Sequence, residues 1–202
     1  MINHEEYVFY YEEYINKTFV ILSGPSAGGK TTLSKIMGLR KGFTLLIKHT
    51  DRSVRSNEEN KVDYFFVSSN VFNRNSIKHN WVVWVKRYGH HYALSASEVE
   101  RALIENTIPL FILDPNAAIK FRSVYKNSIL VFVGPDDIAE VHDRIMKRSD
   151  SDLEKLLRTV LLEEEYNLRN QFDITYNNKD EDEFFCKLAK MVEERRDFCD
   201  SK

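Results

Sequence analysis

The strongest constraint on the fold of this chain is a glycine-rich stretch near its N-terminal end. Residues 24–32 read GPSAGGKTT, in which Gly24, Gly29, Lys30 and Thr31 fill the positions of a phosphate-binding loop. The preceding run TFVILS is apolar and β-branched, and the following KTTLSKIMGLR has apolar residues at helical spacing. A strand, a tight loop and a helix in this order predict an α/β domain around a mostly parallel sheet.

The chemistry of such a loop predicts a bound nucleoside triphosphate. Successive backbone N–H groups converge on phosphate oxygens at the positive end of the following helix. The Lys30 ammonium is expected to reach the terminal phosphates, and the Thr31 hydroxyl to coordinate Mg²⁺. The residues predicted to bind ATP or GTP here are Gly24, Ser26, Gly28, Gly29, Lys30, Thr31 and Thr32.

Composition excludes several other classes of protein. The 202 residues suit one domain, and 29 basic against 31 acidic residues leave a net charge of −2. Because no excess of positive charge is present, we expect neither a nucleic acid nor a membrane as a partner. The two cysteines, Cys186 and Cys199, form no CxxC pair and suit a reducing compartment. We expect a cytoplasmic protein that is a monomer or a homodimer.

The first 17 residues carry four glutamates and no basic lead-in, which argues against a signal peptide. We interpret residues 1–17 as an N-terminal extension that packs against a domain formed by residues 18–202. The runs PLFILD, SILVFVG and FDITYN predict further parallel strands, with helical patterns between them. These patterns are SASEVERALIEN, NAAIKFRSVYKN, PDDIAEVHDRIMKR and DLEKLLRTVLLEEEYNLRN.

Residues 48–95 interrupt this alternation of strands and helices. The runs YFFV and WVVWVKRYGHHYAL are rich in aromatic and β-branched residues, and a helical NVFNRNSIKHN lies between them. We interpret this region as a small α+β insertion that binds the second substrate. We expect its two tryptophans to fill a small core of its own.

Arginine placement favours a compact kinase. No base-selecting NKxD and no DxxG switch segment follows the loop, which argues against a GTPase. A kinase must bring two anionic substrates together, and the planar guanidinium group binds phosphate oxygens bidentately. Arg52 and Arg55 stand at the start of the insertion, and Tyr64 and Tyr92 can add hydroxyl donors.

A second set of arginines lies in residues 140–160, which we interpret as a mobile lid. Arg144 and Arg148 are four residues apart and share a helical face, and Arg158 follows the polar turn SDSD. Arginines on a closing lid would stabilise charge on the transferring phosphoryl group. The alternative, a helix face paired with Asp143 or Glu154, stays open on spacing alone.

Taken together, these segments resemble the guanylate kinase family. The resemblance covers about Thr18 to Val192 and rests on GPSAGGKTTL, TDRSVRSNEENKVDYFFVS, GHHYALS, LFILD, RIMKR with a later arginine, and FDITYNN. It implies a P-loop NTPase-type parallel sheet flanked by helices, with an α+β acceptor-binding insertion and a helical lid. It further implies ATP and Mg²⁺ as cofactors and a small phosphorylated acceptor.

The resemblance also implies roles for individual residues. Lys30 and the lid residues Arg144, Arg148 and Arg158 would contact the phosphates of ATP and act in catalysis, and Asn178 would lie near the adenine. The residues implied in acceptor binding are Lys48, Arg52, Arg55, Tyr64, Val83, Tyr92 and Asp114.

Departures from the family pattern concern the acceptor side. Val83 stands where the family has a glutamate that reads the guanine edge, and Leu94 stands at the base-contacting Ser or Thr unless Ser95 replaces it. Lys48 and Asp51 replace a serine and a threonine of the family pattern. We also expect the Gly-Glu pair of the family to be missing from RSNEEN. Each guanine N–H left unpaired would cost about 1–3 kcal/mol.

The sequence is therefore compatible with three functions. The first is ATP-dependent phosphorylation of a nucleoside monophosphate, with GMP as the default of the family. The second is a kinase of the same fold with another phosphorylated acceptor, such as dTMP or a ribose bisphosphate-like sugar. The third is a catalytically silent binding module, against which the intact Lys30 and Thr31 argue.

Overall fold

A computed structural model of the chain describes residues 5–56, 58–72, 80–87, 89–147 and 151–200. Two five-stranded sheets organise this part of the chain. The strands are β1 Glu5–Val8, β2 Val20–Ser23, β3 Phe43–Leu45, β4 His49–Thr50, β5 Phe65–Phe66, β6 Trp81–Arg87, β7 His90–Ser95, β8 Ile108–Ile112, β9 Ile129–Val133 and β10 Ile174–Tyr176. No helix in the described ranges has both the length and the apolar character of a membrane span.

The central sheet is entirely parallel, in the order β10–β9–β2–β8–β3. Strand β2, which leads into the glycine-rich stretch, lies in the middle of the sheet. The strands β2 and β9 are fully buried, as expected for inner strands covered by helices on both faces. The four predicted strands are confirmed, and β3 adds an edge that the sequence analysis did not identify.

Helices follow most strands of the central sheet. They are α1 Lys30–Gly38, α2 Ala96–Ile104, α3 Pro115–Val124, α4 Ile138–Met146, α5 Asp152–Val160, α6 Leu162–Asn167 and α7 Glu181–Asp200. The carboxylates of Asp114 and Asp137 cap α3 and α4 by accepting from the backbone N–H groups of Ala117 and Ala139. The predicted helix in NVFNRNSIKHN includes residues 73–79, which lie outside the described residues.

The second sheet has the order β1–β6–β7–β4–β5 and is mostly antiparallel. Alternation along β6 places Val83, Val85 and Arg87 on one face. Trp84 packs with a small cluster of Phe72, Trp81 and Ala93. The two tryptophans therefore fill a core that belongs to this sheet, as the sequence analysis expected.

A shared apolar cluster joins the two sheets. Phe19 before β2 and Phe111 in β8 belong to the same buried cluster as Val83 and Leu94 of the second sheet. Phe19 meets the ring of Phe111 edge-on with centroids 6.2 Å apart. The second sheet is therefore packed onto the central one rather than linked to it only by loops.

The N-terminal segment is part of both layers. Strand β1 pairs antiparallel with β6, opposite residues 83–86, and so covers an edge of the second sheet. Beyond β1, the backbone N–H of Tyr11 donates to Tyr125 Oη at 3.1 Å, and that hydroxyl donates to the carbonyl oxygen of Phe9 at 2.6 Å. Tyr125 lies just after α3, so these bonds tie the N-terminal segment to the central sheet as well.

Replacing Tyr125 by Phe should lower the free energy of unfolding by about 1–3 kcal/mol, because two backbone groups lose their partner. Urea unfolding followed by circular dichroism measures the change. Tyr10→Phe is the matched control, since Tyr10 is 60% exposed. Equal effects of the two substitutions would contradict the role assigned to the Tyr125 hydroxyl.

Candidate active site

A cavity of about 420 Å³ lies where the loop after β2 faces the second sheet. The glycine-rich loop forms one part of its wall, and β6 and β7 form another. Most of the residues predicted from the sequence line it together: Gly24, Ser26, Gly28, Gly29, Lys30, Thr31, Thr32, Lys48, Arg52, Arg55, Tyr64, Val83, Tyr92, Asp114 and Arg158.

Close packing against β9 explains two glycines of the loop. A Cβ atom added to Gly24 would lie 2.4 Å from the carbonyl oxygen of Val133, and one added to Gly28 would lie 2.5 Å from it. Gly24 also has a φ of +128°, which a side chain would strain. The loop can therefore curl over the end of β9 only with glycine at both positions. It then enters α1, whose first residues Lys30, Thr31 and Thr32 line the cavity, and the first N–H groups of a helix have no partner within the helix.

Lys30 lies inside the curled loop. Its ammonium donates to the carbonyl oxygens of Gly24 at 2.8 Å and Pro25 at 2.5 Å. Burial lowers the pKa of Lys30 to about 8, and the carboxylate of Glu165 opposes that shift. This ammonium is placed to exchange the two carbonyl oxygens for the phosphate oxygens of a bound nucleotide.

The predicted lid arginines differ in their placement. Arg158 on α5 reaches the loop, where its guanidinium donates to Ser26 Oγ at 2.7 Å. Arg144 on α4 is exposed, pairs with Glu140 at 3.2 Å and does not line the cavity. Arg148 lies outside the described residues. Asn178, the predicted adenine contact, is exposed away from the cavity and accepts from the Tyr176 hydroxyl at 3.0 Å.

Glu58 holds the first arginine of the insertion. Arg52 donates to both carboxylate oxygens of Glu58 at 2.8 Å, and Glu58 also accepts from the backbone N–H of Arg55 at 3.0 Å. Although burial opposes it, hydrogen bonding by Arg52 lowers the pKa of Glu58. The expectation that the Gly-Glu pair is missing from RSNEEN is therefore corrected, since Glu58 stands in the glutamate's place and only the glycine is replaced.

Lys48 and two tyrosines complete this end of the cavity. The Lys48 ammonium lies 5.7 Å from the ring centroid of Tyr64 and 5.8 Å from that of Tyr92. Burial lowers the pKa of Lys48 to about 8, and Asp114 acts in the opposite direction. Burial raises the pKa of both tyrosines, so their hydroxyls stay protonated as donors at neutral pH.

Three residues at positions that depart from the family pattern do not line the cavity. Leu94 is fully buried in the shared apolar cluster and does not line the cavity. Ser95 does not replace it there, since its hydroxyl contacts Ser97 Oγ at 3.0 Å. Asp51 binds the backbone N–H and the ring of His91, at 2.8 and 2.6 Å, and so supports β7 rather than the cavity.

Sequence reasoning missed two charged residues that line the cavity. Arg87 on β6 pairs with Asp114 at 3.1 Å and with Glu165 on α6. Burial raises the pKa of Glu165, and the neighbouring Arg87 and Lys30 oppose that rise. Arg87 could have been found from the two-residue alternation that places it on the face of Val83. No local pattern marks Glu165, because it meets Arg87 across 78 positions of sequence.

Comparisons with known proteins agree with this geometry. A family model described as guanylate kinase matches residues 16–195. A guanylate kinase of Prochlorococcus marinus is 28% identical over 180 residues, which are 88% of this chain and 97% of that relative. One of Lactobacillus johnsonii is 32% identical over 157 residues, which are 73% of this chain and 76% of that relative.

A solved structure shows the same fold. The crystal structure of guanylate kinase from Anaplasma phagocytophilum matches with a TM-score of 0.67, over 89% of this chain and 86% of that one, at 19% sequence identity. The resemblance seen in the motifs is thus confirmed over most of the sequence. This protein belongs to the guanylate kinase family.

Proposed function

We infer that this protein transfers the γ-phosphoryl group of ATP to the phosphate of a nucleoside monophosphate, with Mg²⁺ as cofactor. One observation carries the proposal: a single cavity has a phosphate-binding loop at one end and a second group of cations and hydroxyls at the other. Such an arrangement suits a reaction that must hold two phosphorylated molecules next to each other.

At the donor end, the phosphates of ATP would lie against the loop. The backbone N–H groups after Gly24 and the ammonium of Lys30 would bind their oxygens, and Arg158 would approach from α5. The Thr31 hydroxyl lines the cavity in the first turn of α1, and a hydroxyl oxygen suits Mg²⁺. Bound Mg²⁺ would neutralise charge on the β- and γ-phosphates.

At the acceptor end, the phosphate of the monophosphate would meet Arg52, Arg55, Tyr64 and Tyr92. Glu58 holds the Arg52 guanidinium in place by two bonds, so little conformational entropy is lost when the phosphate binds. No covalent enzyme intermediate is needed. The protein contributes position and neutralisation of charge, and Lys30 and Arg158 oppose the charge that develops on the transferring group.

We place this activity in the cytoplasm. The thiol of Cys186 is exposed on α7, and a reducing compartment keeps such a thiol free.

Lys48, Val83 and Asp114 also line the acceptor end. We propose that they contact the part of the acceptor beyond its phosphate. The predicted contacts of Arg144, Arg148 and Asn178 with ATP require a closing movement. In it, α4, α5 and the loop after β10 would close over the nucleotide.

Lys30→Ala should lower the rate of ADP formation by at least about a hundredfold, because a charge that meets the transferring group is removed. A coupled assay with Mg-ATP and a panel of nucleoside monophosphates measures the rate. Lys190→Ala, an exposed change on α7, is the control and should leave the rate unaltered. Full turnover in the Lys30 variant would refute the assignment of the loop.

Arg158→Met should lower kcat by about a thousandfold with a smaller change in the KM for ATP, since an arginine of this kind acts mainly on the transition state. Steady-state kinetics separate the two constants. Arg40→Met serves as the control because Arg40 is half-exposed and pairs with Glu181. A rise in KM at unchanged kcat would instead make Arg158 a group that only binds ATP.

Affinity for the acceptor should fall as the pH rises through about 8, where Lys48 loses its proton in the folded protein. Of the groups that act on Lys48, Arg52 and Arg87 keep their charge over this range, and burial keeps Tyr64 and Tyr92 protonated. Lys30 also lines the cavity, and because burial lowers its pKa to about 8 as well, it titrates over the same range. The acceptor phosphate, with a second pKa of about 6, is already a dianion.

Calorimetry of acceptor binding without ATP measures this dependence. The dissociation constant should rise by about fivefold to tenfold between about pH 7 and pH 9, with proton uptake near pH 8. Lys48→Met should remove most of both effects, and whatever remains is the contribution of Lys30. An equal dependence in wild type and variant would show that another group titrates.

A further inference from the structure

Helix α5, which carries Arg158, is not held in place by a buried apolar face. Within the part of the chain that the structure describes, no residue of α5 is fully buried. Three of its apolar side chains are instead more than half exposed: Leu153, Leu156 and Val160. The side chain of Arg158 is only 10% exposed and donates to Ser26 Oγ at 2.7 Å. The position of Arg158 therefore depends on polar contacts and on the helix that follows α5.

The helices α5 and α6 form one nearly continuous segment. Leu161 lies between them with helical backbone angles, φ −85° and ψ −9°, and its carbonyl oxygen accepts from the backbone N–H of Glu165 at 2.9 Å. Glu165 follows Arg158 by about two helical turns, so the two side chains lie on the same face of the segment. A contact that fixes Glu165 therefore also fixes the direction in which Arg158 points.

Arg87 holds Glu165 at the junction of the two sheets. Its guanidinium pairs with Glu165 and, at 3.1 Å, with Asp114. Arg87 belongs to β6 of the second sheet, whereas Asp114 follows β8 of the central sheet and caps α3. Leu162 and Tyr166 tie α6 to α4 and to the loop after β9. The pair of Glu165 with Arg87 adds a contact from α6 to the second sheet.

A buried ion pair of this kind fixes geometry more than it stabilises the fold. The side chains of Arg87 and Glu165 are only 12% and 7% exposed. Removing two charges from water costs about as much as their attraction returns, so the net gain in stability is small. The planar guanidinium nevertheless binds carboxylate oxygens in defined directions. The pair therefore sets where α6 lies relative to the sheets.

On the basis of the phosphoryl transfer proposed above, we propose that Glu165 is a positioning residue that acts through Arg158. Its pair with Arg87 holds α6, and with it α5, so that the Arg158 guanidinium reaches the glycine-rich loop. Arg158 contacts the transferring group, and Glu165 determines where that contact is made.

Glu165 could instead act through the charge of Lys30. Its carboxylate raises the pKa of the Lys30 ammonium, in opposition to burial. A role through Lys30 requires the negative charge of Glu165, whereas a role through Arg158 requires a hydrogen-bond acceptor in contact with Arg87. Methionine removes both properties, and glutamine removes only the charge. A comparison of these two substitutions separates the two roles.

The test compares kcat at about pH 6.5, with Mg-ATP and the best nucleoside monophosphate, because the pKa of Lys30 of about 8 lies above this pH. Glu165→Met should lower kcat by about tenfold to a hundredfold with a smaller change in either KM, since a displaced Arg158 no longer meets the transferring group. Glu165→Gln should retain kcat to within about threefold, because its amide oxygen still accepts from Arg87. Glu164→Met, an exposed change on the same helix, is the matched control and should leave kcat unaltered.

A double-mutant cycle shows whether Glu165 acts through Arg158. In the Arg158→Met background, Glu165→Met should change kcat by less than about twofold, because the group that it positions is gone. A loss of the same size in both backgrounds would overturn the proposal. Equal losses in the methionine and glutamine variants would overturn it as well, since they would assign the effect to the charge near Lys30. An unaltered kcat in Glu165→Met would do the same.

Arg87→Lys tests the same pair from its other partner and replaces Glu165→Met if that variant does not fold. The lysine ammonium keeps the charge but lacks the planar fork that spans Asp114 and Glu165. Here kcat should fall by about tenfold in the wild-type background and by less than about twofold beside Arg158→Met. A retained kcat would show that the geometry of the pair does not matter.

Amide hydrogen exchange without substrates separates a failure of this proposal from a failure of the proposed function. The amides of α5 should exchange about tenfold faster in Glu165→Met than in wild type, Glu165→Gln or Glu164→Met, while those of α7 exchange equally in all four proteins. If no nucleoside monophosphate is phosphorylated, this result still supports the positioning of α5 by Glu165 without the kinase function. Equal exchange of α5 in all four proteins would overturn the proposal.

Discussion

The apolar cluster that Phe19 and Phe111 share with Val83 and Leu94 determines how the second sheet sits on the central one. Large buried side chains of this kind cost about 2–5 kcal/mol each when truncated, so the packing is strong as well as extensive. It sets the separation between the glycine-rich loop and the part of the cavity wall formed by β6 and β7. The N-terminal segment strengthens the same junction, because β1 pairs with β6 while its continuation is bonded to Tyr125.

Charge in the cavity is arranged around this packed junction. Among the residues that the structure describes, six cationic side chains and two carboxylates line the cavity, so positive charge is in excess there. Burial lowers the pKa values of Lys30 and Lys48 to about 8. This shift shows that holding the two ammonium groups charged in the cavity without a ligand has a cost in free energy. Such a cost is common at sites that are organised for a ligand rather than for stability. Arg87 reduces it by pairing with both Asp114 and Glu165.

The sequence predicted the features that depend on short-range geometry. The four apolar runs form parallel strands, of which the inner strands β2 and β9 are buried on both faces. GPSAGGKTT curls over β9 because its glycines tolerate the close approach of Val133. The grouping of Arg52, Arg55, Tyr64 and Tyr92 in one cavity also followed from the motifs. The same motif comparison could have identified Glu58 as the partner of Arg52. It did not, because the glycine that precedes this glutamate in the family is absent here.

By itself, the amino-acid sequence determined the phosphate-binding loop, the parallel sheet and the residues suited to bind two phosphates, because each depends on residue types at fixed local spacing. Only the tertiary structure decided which further side chains line the cavity. Leu94 points into the core, whereas Arg87 from the second sheet meets Asp114 and Glu165 from the other layer. The physical reason is that the direction of a side chain depends on how the sheets pack, and that packing joins residues far apart in the chain.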